Sequence, residues 1–510
     1  MPPHEHSNTL YLSRRESDEY SDNSAHHLSP PVSPSFSVTD TLSPTSTAFT
    51  DYGSDHDDYY EAPPLVLVAG FLAPSSKASW DPLEEIQELA IRDEAANGRW
   101  LLRRKFILVT PGMCSSLHDR ACEIFAQLKG GRVDYGEEHS SEEGHGRYGR
   151  VYEGLYPQWS ATHPLHFVGH SLGGPTIYKL QELLATGFFA TAGHTNTSAD
   201  WMRSLTGLSA PFRGTTAVYL LGTQPYPHPP GDVNPLSFGG IAYRALHLYE
   251  HLVPASLRRA LFDLQVDHWD FSAHGLWNCL RKSPWAEGKD NAPYDLCVGA
   301  RWRDWEKMRE SKKWSGVGAR TWYRSFATNL VAPPPTPTTL STALTSLPLR
   351  LLSYWVQGYR FTPGTSAITP AENAAAPNSF SLDPAVWGDN DGICCVVGQY
   401  HPGACKRCGG WYAQAPVGVA QKEDDEEDDS LPCLHRRSLN SRYAHYGAKE
   451  KEQIKDDEAE DEKPGVWHVT EVAGATHLDL GMWNGSDLHW TCWTDIVKWL
   501  GRVDEWAVRG

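Results

Sequence analysis

Three residues carry the chemistry to which this sequence most directly points. Gly169-His170-Ser171-Leu172-Gly173 follows the apolar run His166-Phe167-Val168 and precedes a helical stretch from Pro175. Gly-x-Ser-x-Gly at a strand-to-helix junction is the pattern that holds a serine hydroxyl in a tight elbow at the top of a sheet. Glycines at 169 and 173 let such a turn close without a Cβ clash, and the helix N-terminus faces developing negative charge. A serine hydroxyl is a poor nucleophile alone; it needs a general base, and the base needs an orienting carboxylate. On the elbow-bearing fold the chain order is Ser, then Asp or Glu, then His. Asp391, in Asp389-Asn390-Asp391-Gly392-Ile393, and His477, in Gly474-Ala475-Thr476-His477-Leu478, have that order. Position alone does not single them out, since the chain holds 23 histidines and 63 acidic residues.

The elements that must position these residues read as alternating strands and helices. Leu65 to Ala69, Phe106 to Val109 and His166 to Val168 are continuous apolar runs, as in strands buried on both faces of a parallel sheet. Leu205 to Ala210 and Trp322 to Thr328 are later strands of the same kind. Helical patterns lie between them at Asp81 to Arg92, Asp119 to Leu128 and Pro175 to Ala185. The expected fold is therefore α/β, an α/β-hydrolase fold with a mostly parallel central sheet flanked by helices.

Composition bounds the rest. The 510 residues carry a formal net charge of −18, which argues against nucleic acid as a main partner. The opening residues show no apolar signal segment and no uninterrupted apolar run of transmembrane length occurs. Ten scattered cysteines then read as free thiols, and an intracellular, cytoplasmic protein is the expectation. Residues 1–62 are rich in Ser, Thr, Pro, Asp and His and are expected to be a disordered tail, with Ser29-Pro30, Ser33-Pro34 and Ser43-Pro44 as possible phosphorylation sites. Residues 63–510 are expected to form the hydrolase domain. Within it, 329–346 reads as a Pro/Thr-rich loop and 402–464 as a polar, acidic insertion before His477. In that insertion Cys405, Cys408, Cys433 and His435 could bind a second metal, or simply be loop residues. Cys394 and Cys395 read as core.

The residues also resemble a known group, the large zinc-containing bacterial lipases (thermoalkalophilic and staphylococcal). The resemblance runs intermittently from Pro64 to Gly481. It is carried by Asp119-Arg120-Ala121-Cys122-Glu123, Gly130 to Gly136, Gly144 to Arg150, Gly214-Thr215-Thr216, Leu264 to Trp269, Tyr294-Asp295-Leu296, Ser325 to Thr328 and Asn390 to Ile393. It implies a Ser171–Asp391–His477 triad and an oxyanion hole from the backbone N–H groups of Phe71 and Leu172. It implies a structural zinc held by Asp119, His139, His145 and Asp267, a donor set suited to a closed tetrahedral site. It also implies a lid at about 225–266, where Ile241, Leu246, Leu248, Leu252, Leu257 and Leu261 give an apolar face interleaved with Arg244, Arg258 and Arg259. Such a lid would associate transiently with a lipid surface. Family members bind calcium just after the catalytic histidine. Here Asp479 fits one position, but Asn484-Gly485 replaces the usual Asp-Pro, so calcium is not expected. The expected activity is hydrolysis of a lipid ester, triacylglycerol foremost. The alternatives are a carboxylesterase, a phospholipase, or an inactive scaffold on the same fold.

Overall fold

The structure is a computed structural model. It describes residues 62–73, 80, 82–269, 285, 287–311, 313–332, 346–362, 365–367, 387–403, 433–436, 462–481 and 486–509. The expected N-terminal tail, most of the Pro/Thr-rich loop, Cys405, Cys408, the His435 side chain and Asn484-Gly485 lie outside the described residues.

Among the described residues the chain builds one seven-stranded sheet from β1 (Ala62–Val68), β2 (Arg104–Val109), β5 (Leu165–His170), β6 (Met202–Leu208), β7 (Trp322–Asn329), β8 (Cys433–Arg436) and β9 (Trp467–Ala473). Their order is β2-β1-β5-β6-β7-β9-β8, and each neighbouring pair is parallel. Side chains on a strand alternate between faces, and β1 shows the consequence. Val66 and Val68 join one core with Ile124 and Leu128 of α2 (Leu117–Lys129) and Ile177, Leu180 and Leu184 of α4 (Gly173–Ala185). Leu65 and Leu67 join a second core with Leu83, Ile86 and Ala90 of α1 (Leu83–Ala96) and with a long C-terminal helix, Asp487–Arg509. The continuous apolar run is thus a strand buried by helices on both sides, and the expected α/β-hydrolase architecture is the one found.

Three features were not read from the sequence. The C-terminal helix presents Cys492, Trp493, Ile496, Val497, Leu500 and Val503 to the second core, at helical spacing. β3 (Gly131–Asp134) and β4 (Tyr148–Tyr152) form an antiparallel hairpin around α3 (Glu137–Glu143). The insertion before His477 contributes β8, an edge strand parallel to β9, in which Cys433 is buried.

The region expected to be a lid holds two helices, α6 (Phe238–Leu252) and α7 (Ala255–Leu261). Leu236, Phe238, Ile241, Leu248, Leu252, Leu257 and Leu261 are exposed there. Beyond α8 (Val298–Ser311) and β7, α9 (Leu347–Gly358) carries a second exposed apolar set, Leu347, Leu351, Tyr354 and Trp355. The short α5 (Ala217–Leu221) packs against both α6 and α9. None of the helices in the described residues is long and apolar enough to cross a membrane.

Candidate active site and metal centre

The elbow forms where it was expected. Ser171 follows β5 directly, and its φ is +53°, a conformation costly for a non-glycine residue. A Cβ on Gly169 would lie 2.4 Å from the Gly173 carbonyl carbon and the Gly174 nitrogen, and one on Gly173 would lie 2.2 Å from the Val68 oxygen. Both are backbone atoms with no room to move, so the motif glycines are steric necessities. One backbone bond, Ser171 N–H to Leu208 O at 2.9 Å, holds the strained residue to β6.

Asp391 and His477, separated by 86 residues in sequence, meet at this elbow. His477 Nε2 is 2.8 Å from Ser171 Oγ, and His477 Nδ1 is 2.9 Å from Asp391 Oδ2. A carboxylate only accepts, so Nδ1 carries the proton and Nε2 accepts from the serine. All three residues are buried, Ser171 being 7% exposed, His477 3% and Asp391 0%. The Asp391 carboxylate is surrounded by donors. Oδ1 accepts from the N–H groups of Ile393 and Cys394, at 3.0 and 2.7 Å, and Oδ2 also accepts from Thr328 Oγ1 at 2.8 Å and Gln399 Nε2 at 3.2 Å.

His477 is also fixed through its backbone. Its N–H donates to Asp391 O at 2.9 Å, and its carbonyl accepts from His170 Nε2 at 2.9 Å. Burial pushes the His170 imidazole down to about 3, with the neighbouring His477 adding to the effect. His170 therefore stays neutral and holds the loop as a donor. The roles of His170, Thr328 and Gln399 were not read from the sequence; His170 and Thr328 act on partners distant in the chain, and Gln399 on a carboxylate eight residues away.

Phe71 lies on the loop after β1, against the elbow. A Cβ on Gly70 would fall 2.8 Å from Ser171 Cβ, so only glycine allows this loop to approach Ser171 so closely. The next residue, Leu72, has φ +52°. Leu172, the other expected oxyanion residue, is fully buried immediately before α4.

Away from the elbow, four ligand atoms converge. Asp119, His139, His145 and Asp290 each place one donor within 4.8 Å of the others. His139 Nε2 lies 3.3 Å from Asp119 Oδ1 and 3.3 Å from Asp290 Oδ1, and His145 Nε2 lies 3.2 Å from Asp290 Oδ2. Ligands about 2.0–2.1 Å from a tetrahedral zinc stand about 3.3 Å apart. Asp119 Oδ1, His139 Nε2, His145 Nε2 and Asp290 Oδ2 are buried with no hydrogen-bond partner, as atoms aimed at a cation would be. Burial would lower the His139 pKa, but the two carboxylates outweigh it and raise it to about 10. Their negative charge is thus balanced either by protons on the imidazoles or by a metal. His145 Nδ1 is 3.0 Å from Gly146 O, which orients Nε2 toward the cluster, and His268 Nε2 holds Asp119 Oδ2 at 2.9 Å.

This corrects the expected ligand set at one position. Asp267 is not in the cluster. Its carboxylate pairs with Arg150, which also grips Asp263 at 2.6 and 2.9 Å. The backbone turns after Gln265, whose φ is +57°, so His268 rather than Asp267 faces Asp119. Asp290 takes the fourth place because Asn291 caps the helical turn Ala292–Asp295, accepting from Tyr294 N at 3.0 Å, and its side chain donates to Trp285 O at 2.8 Å.

The sheet and the strained elbow define an α/β-hydrolase fold, with a hydrogen-bonded Ser171–His477–Asp391 chain at the elbow. Residues 111–225 match the family model described as lipase-like, C-terminal domain. Over 307 residues, 56% of this chain, the sequence is 26% identical to a lipase of Staphylococcus hyicus. A stretch of 125 residues is 41% identical to a lipase of Staphylococcus epidermidis. These matches cover 40% and 18% of the two relatives, so the chain spans less than half the length of the curated relatives it matches. The crystal structure of Staphylococcus hyicus lipase shares the fold, with a TM-score of 0.55 at 20% identity, covering 89% of this chain and 99% of that one. The chain thus resembles the staphylococcal lipases in sequence and shares their fold.

Proposed function

We propose that this protein is a serine carboxylic ester hydrolase acting on lipid esters, triacylglycerol foremost, through an acyl-enzyme. The observation that carries the reading is the continuous hydrogen-bonded chain from Ser171 Oγ through His477 to Asp391, at 2.8 and 2.9 Å. His477 Nε2 takes the serine proton as Oγ attacks the ester carbonyl. Asp391 holds the imidazole in the required tautomer and stabilises its cation. The Phe71 and Leu172 N–H groups receive the oxyanion of the tetrahedral intermediate. His477 then gives its proton to the leaving alcohol, and water repeats the sequence on the acyl-enzyme. Asp119, His139, His145 and Asp290 would hold a structural zinc. Four protein ligands leave it no open position, so its contribution is to clip the α3 loop to α2.

The lipid preference rests on surface chemistry. α6, α7 and α9 expose Leu, Ile, Phe, Tyr and Trp rather than covering them, and α9 contains Arg350 as its one charged residue. Amphipathic helices with aromatic and leucine faces and basic flanks suit a lipid–water boundary. The reading is tested by hydrolysis of a p-nitrophenyl ester series and emulsified triolein by the full chain and by Ser171→Ala. Long-chain and triolein turnover that vanishes in the variant supports it. Cleavage of short soluble esters alone makes the protein a carboxylesterase, and no turnover at all favours a scaffold.

A further inference from the structure

α2 does more than supply a metal ligand. Asp119 and its neighbour Arg120 are both buried, yet their side chains leave the helix in different directions. Asp119 reaches the metal cluster. Arg120 runs to the elbow, where its guanidinium uses all three nitrogens. NH2 donates to Ala69 O at 2.7 Å, NH1 to Gly112 O at 2.5 Å, and Nε to Thr176 Oγ1 at 3.0 Å. Thr176 Oγ1 in turn donates to Leu172 O at 2.8 Å. The Gly112 loop is gripped a second time from the same helix, because Gly112 N–H donates to Glu123 Oε2 at 2.6 Å. One residue on, Met113 O accepts from Leu72 N at 3.3 Å.

These bonds bracket both expected oxyanion donors. Phe71 lies between Ala69, held by Arg120, and Leu72, held by the Gly112 loop. Leu172 is held through Thr176. The two donors come from different parts of the chain, the loop after β1 and the first turn of α4, and Leu72 and Ser171 both sit at positive φ. Strained backbone of this kind persists only where its surroundings over-determine it. A rigid planar fork with several donors can hold three acceptors in fixed relation; a lysine ammonium cannot.

We propose that Arg120 is the positioning residue of the oxyanion hole, fixing the Phe71 and Leu172 N–H groups relative to each other so that they fit the tetrahedral intermediate rather than the substrate ester. This rests on the reading of Ser171 as nucleophile. Burying a cation among carbonyl oxygens, with no carboxylate hydrogen-bonded to it among the described residues, is costly, and this placement gives that cost a purpose. Arg120 touches no substrate, so its loss weakens binding of the tetrahedral state and leaves ground-state binding nearly intact.

The test uses the full, metal-loaded chain. kcat and KM for a p-nitrophenyl ester, inhibition by a phenylboronic acid (which forms a tetrahedral adduct on serine) and metal content are measured for the wild type, Arg120→Lys, Thr176→Val and Thr176→Ser. A misplacement of about 1 Å costs roughly 100-fold in rate. The expected result for Arg120→Lys is a fall in kcat of that order, KM within about threefold, a parallel loss of boronate affinity, and unchanged metal content. Should Arg120→Lys not fold, the threonine pair decides. Thr176→Val, which removes both the acceptor of Nε and the donor to Leu172 O, then shows a smaller fall of the same kind, and Thr176→Ser restores most of it. Unchanged kcat and boronate affinity, or a rise in KM alone, overturns the proposal. A wild type that neither cleaves ester nor binds boronate overturns the Ser171 reading, and this proposal with it.

Discussion

Replacing Asp290 by alanine should cost the protein its metal, whereas replacing Asp267 should not. Asp290 is 2% exposed and presents an unpartnered Oδ2 to His145 and its Oδ1 to His139. Losing even an outer-shell partner of a metal site lowers affinity about 10- to 100-fold, and losing one of four direct ligands costs at least the upper figure. At fixed free metal, a 100-fold loss is about 2.7 kcal/mol of holo stability. Unfolding entropy of about 2.1 cal/mol/K per residue converts this, for roughly 350 cooperatively folded residues, to a fall in Tm of about 3–4 °C. Asp267→Ala frees one arm of Arg150, which keeps its two bonds to Asp263. Its side chain is 35% exposed, and such pairs contribute about 0–1 kcal/mol. The assay is metal content after dialysis against buffered free zinc, with a thermal melt in the same buffer. Stoichiometric metal in Asp290→Ala, or its loss in Asp267→Ala, would refute the assignment.

Four further outcomes are expected. Gly169→Ala places a methyl 2.4 Å from backbone atoms of the elbow; it should abolish ester hydrolysis and lower the urea midpoint, and a fully active variant would contradict the elbow geometry. Asp391→Asn should lower kcat by on the order of 10³–10⁴ with little change in KM, read by steady-state kinetics. Trp355→Ser on α9 should lower the ratio of emulsified to soluble ester turnover by about tenfold, since Trp355 is one of the most exposed large apolar groups. Stability should decline below about pH 6.5. Burial lowers the pKa of His166 to about 4 and that of His170 to about 3, so between their unfolded and folded values the unfolded chain binds more protons. The two together give a slope of about 2.7 kcal/mol per pH unit near pH 5. Urea midpoints across pH 4–7 measure it, and His170→Gln should flatten the slope.

The legible part of the site was the part built locally. Ser171 declares itself because strand, glycine-lined turn and helix are contiguous, so sequence spacing is also spatial spacing. Asp391 and His477 were legible only through chain order and resemblance, since no local pattern sets them apart from other acids and histidines. Asp290 was missed for a related reason. The run Gln265-Val266-Asp267-His268 offers a carboxylate where a ligand was sought, but backbone direction decides which side chain turns inward, and there it is His268. The usable signal lay further on: Asp290 directly precedes Asn291, the cap of a turn containing Pro293 and the matched Tyr294. Arg120 and His170 left no trace as functional residues because they act on backbone carbonyls, whose positions only the fold reveals. In the fold itself, β1, β2 and β5 were plain because burial on both faces leaves each an unbroken apolar stretch, Leu65 to Val68, Phe106 to Val109 and Phe167-Val168. β9, with its His468, Thr470 and Glu471 interleaved, and the hairpin β3–β4 with its polar residues lack that continuity.

The central claim is that Ser171 is a nucleophile activated by His477. Incubating the full chain with a fluorophosphonate and measuring intact mass tests it most directly. One adduct per chain, mapped to Ser171, absent in Ser171→Ala and strongly slowed in His477→Ala, is the predicted result. Labelling at another residue, or none in the folded, metal-loaded protein, would contradict the account.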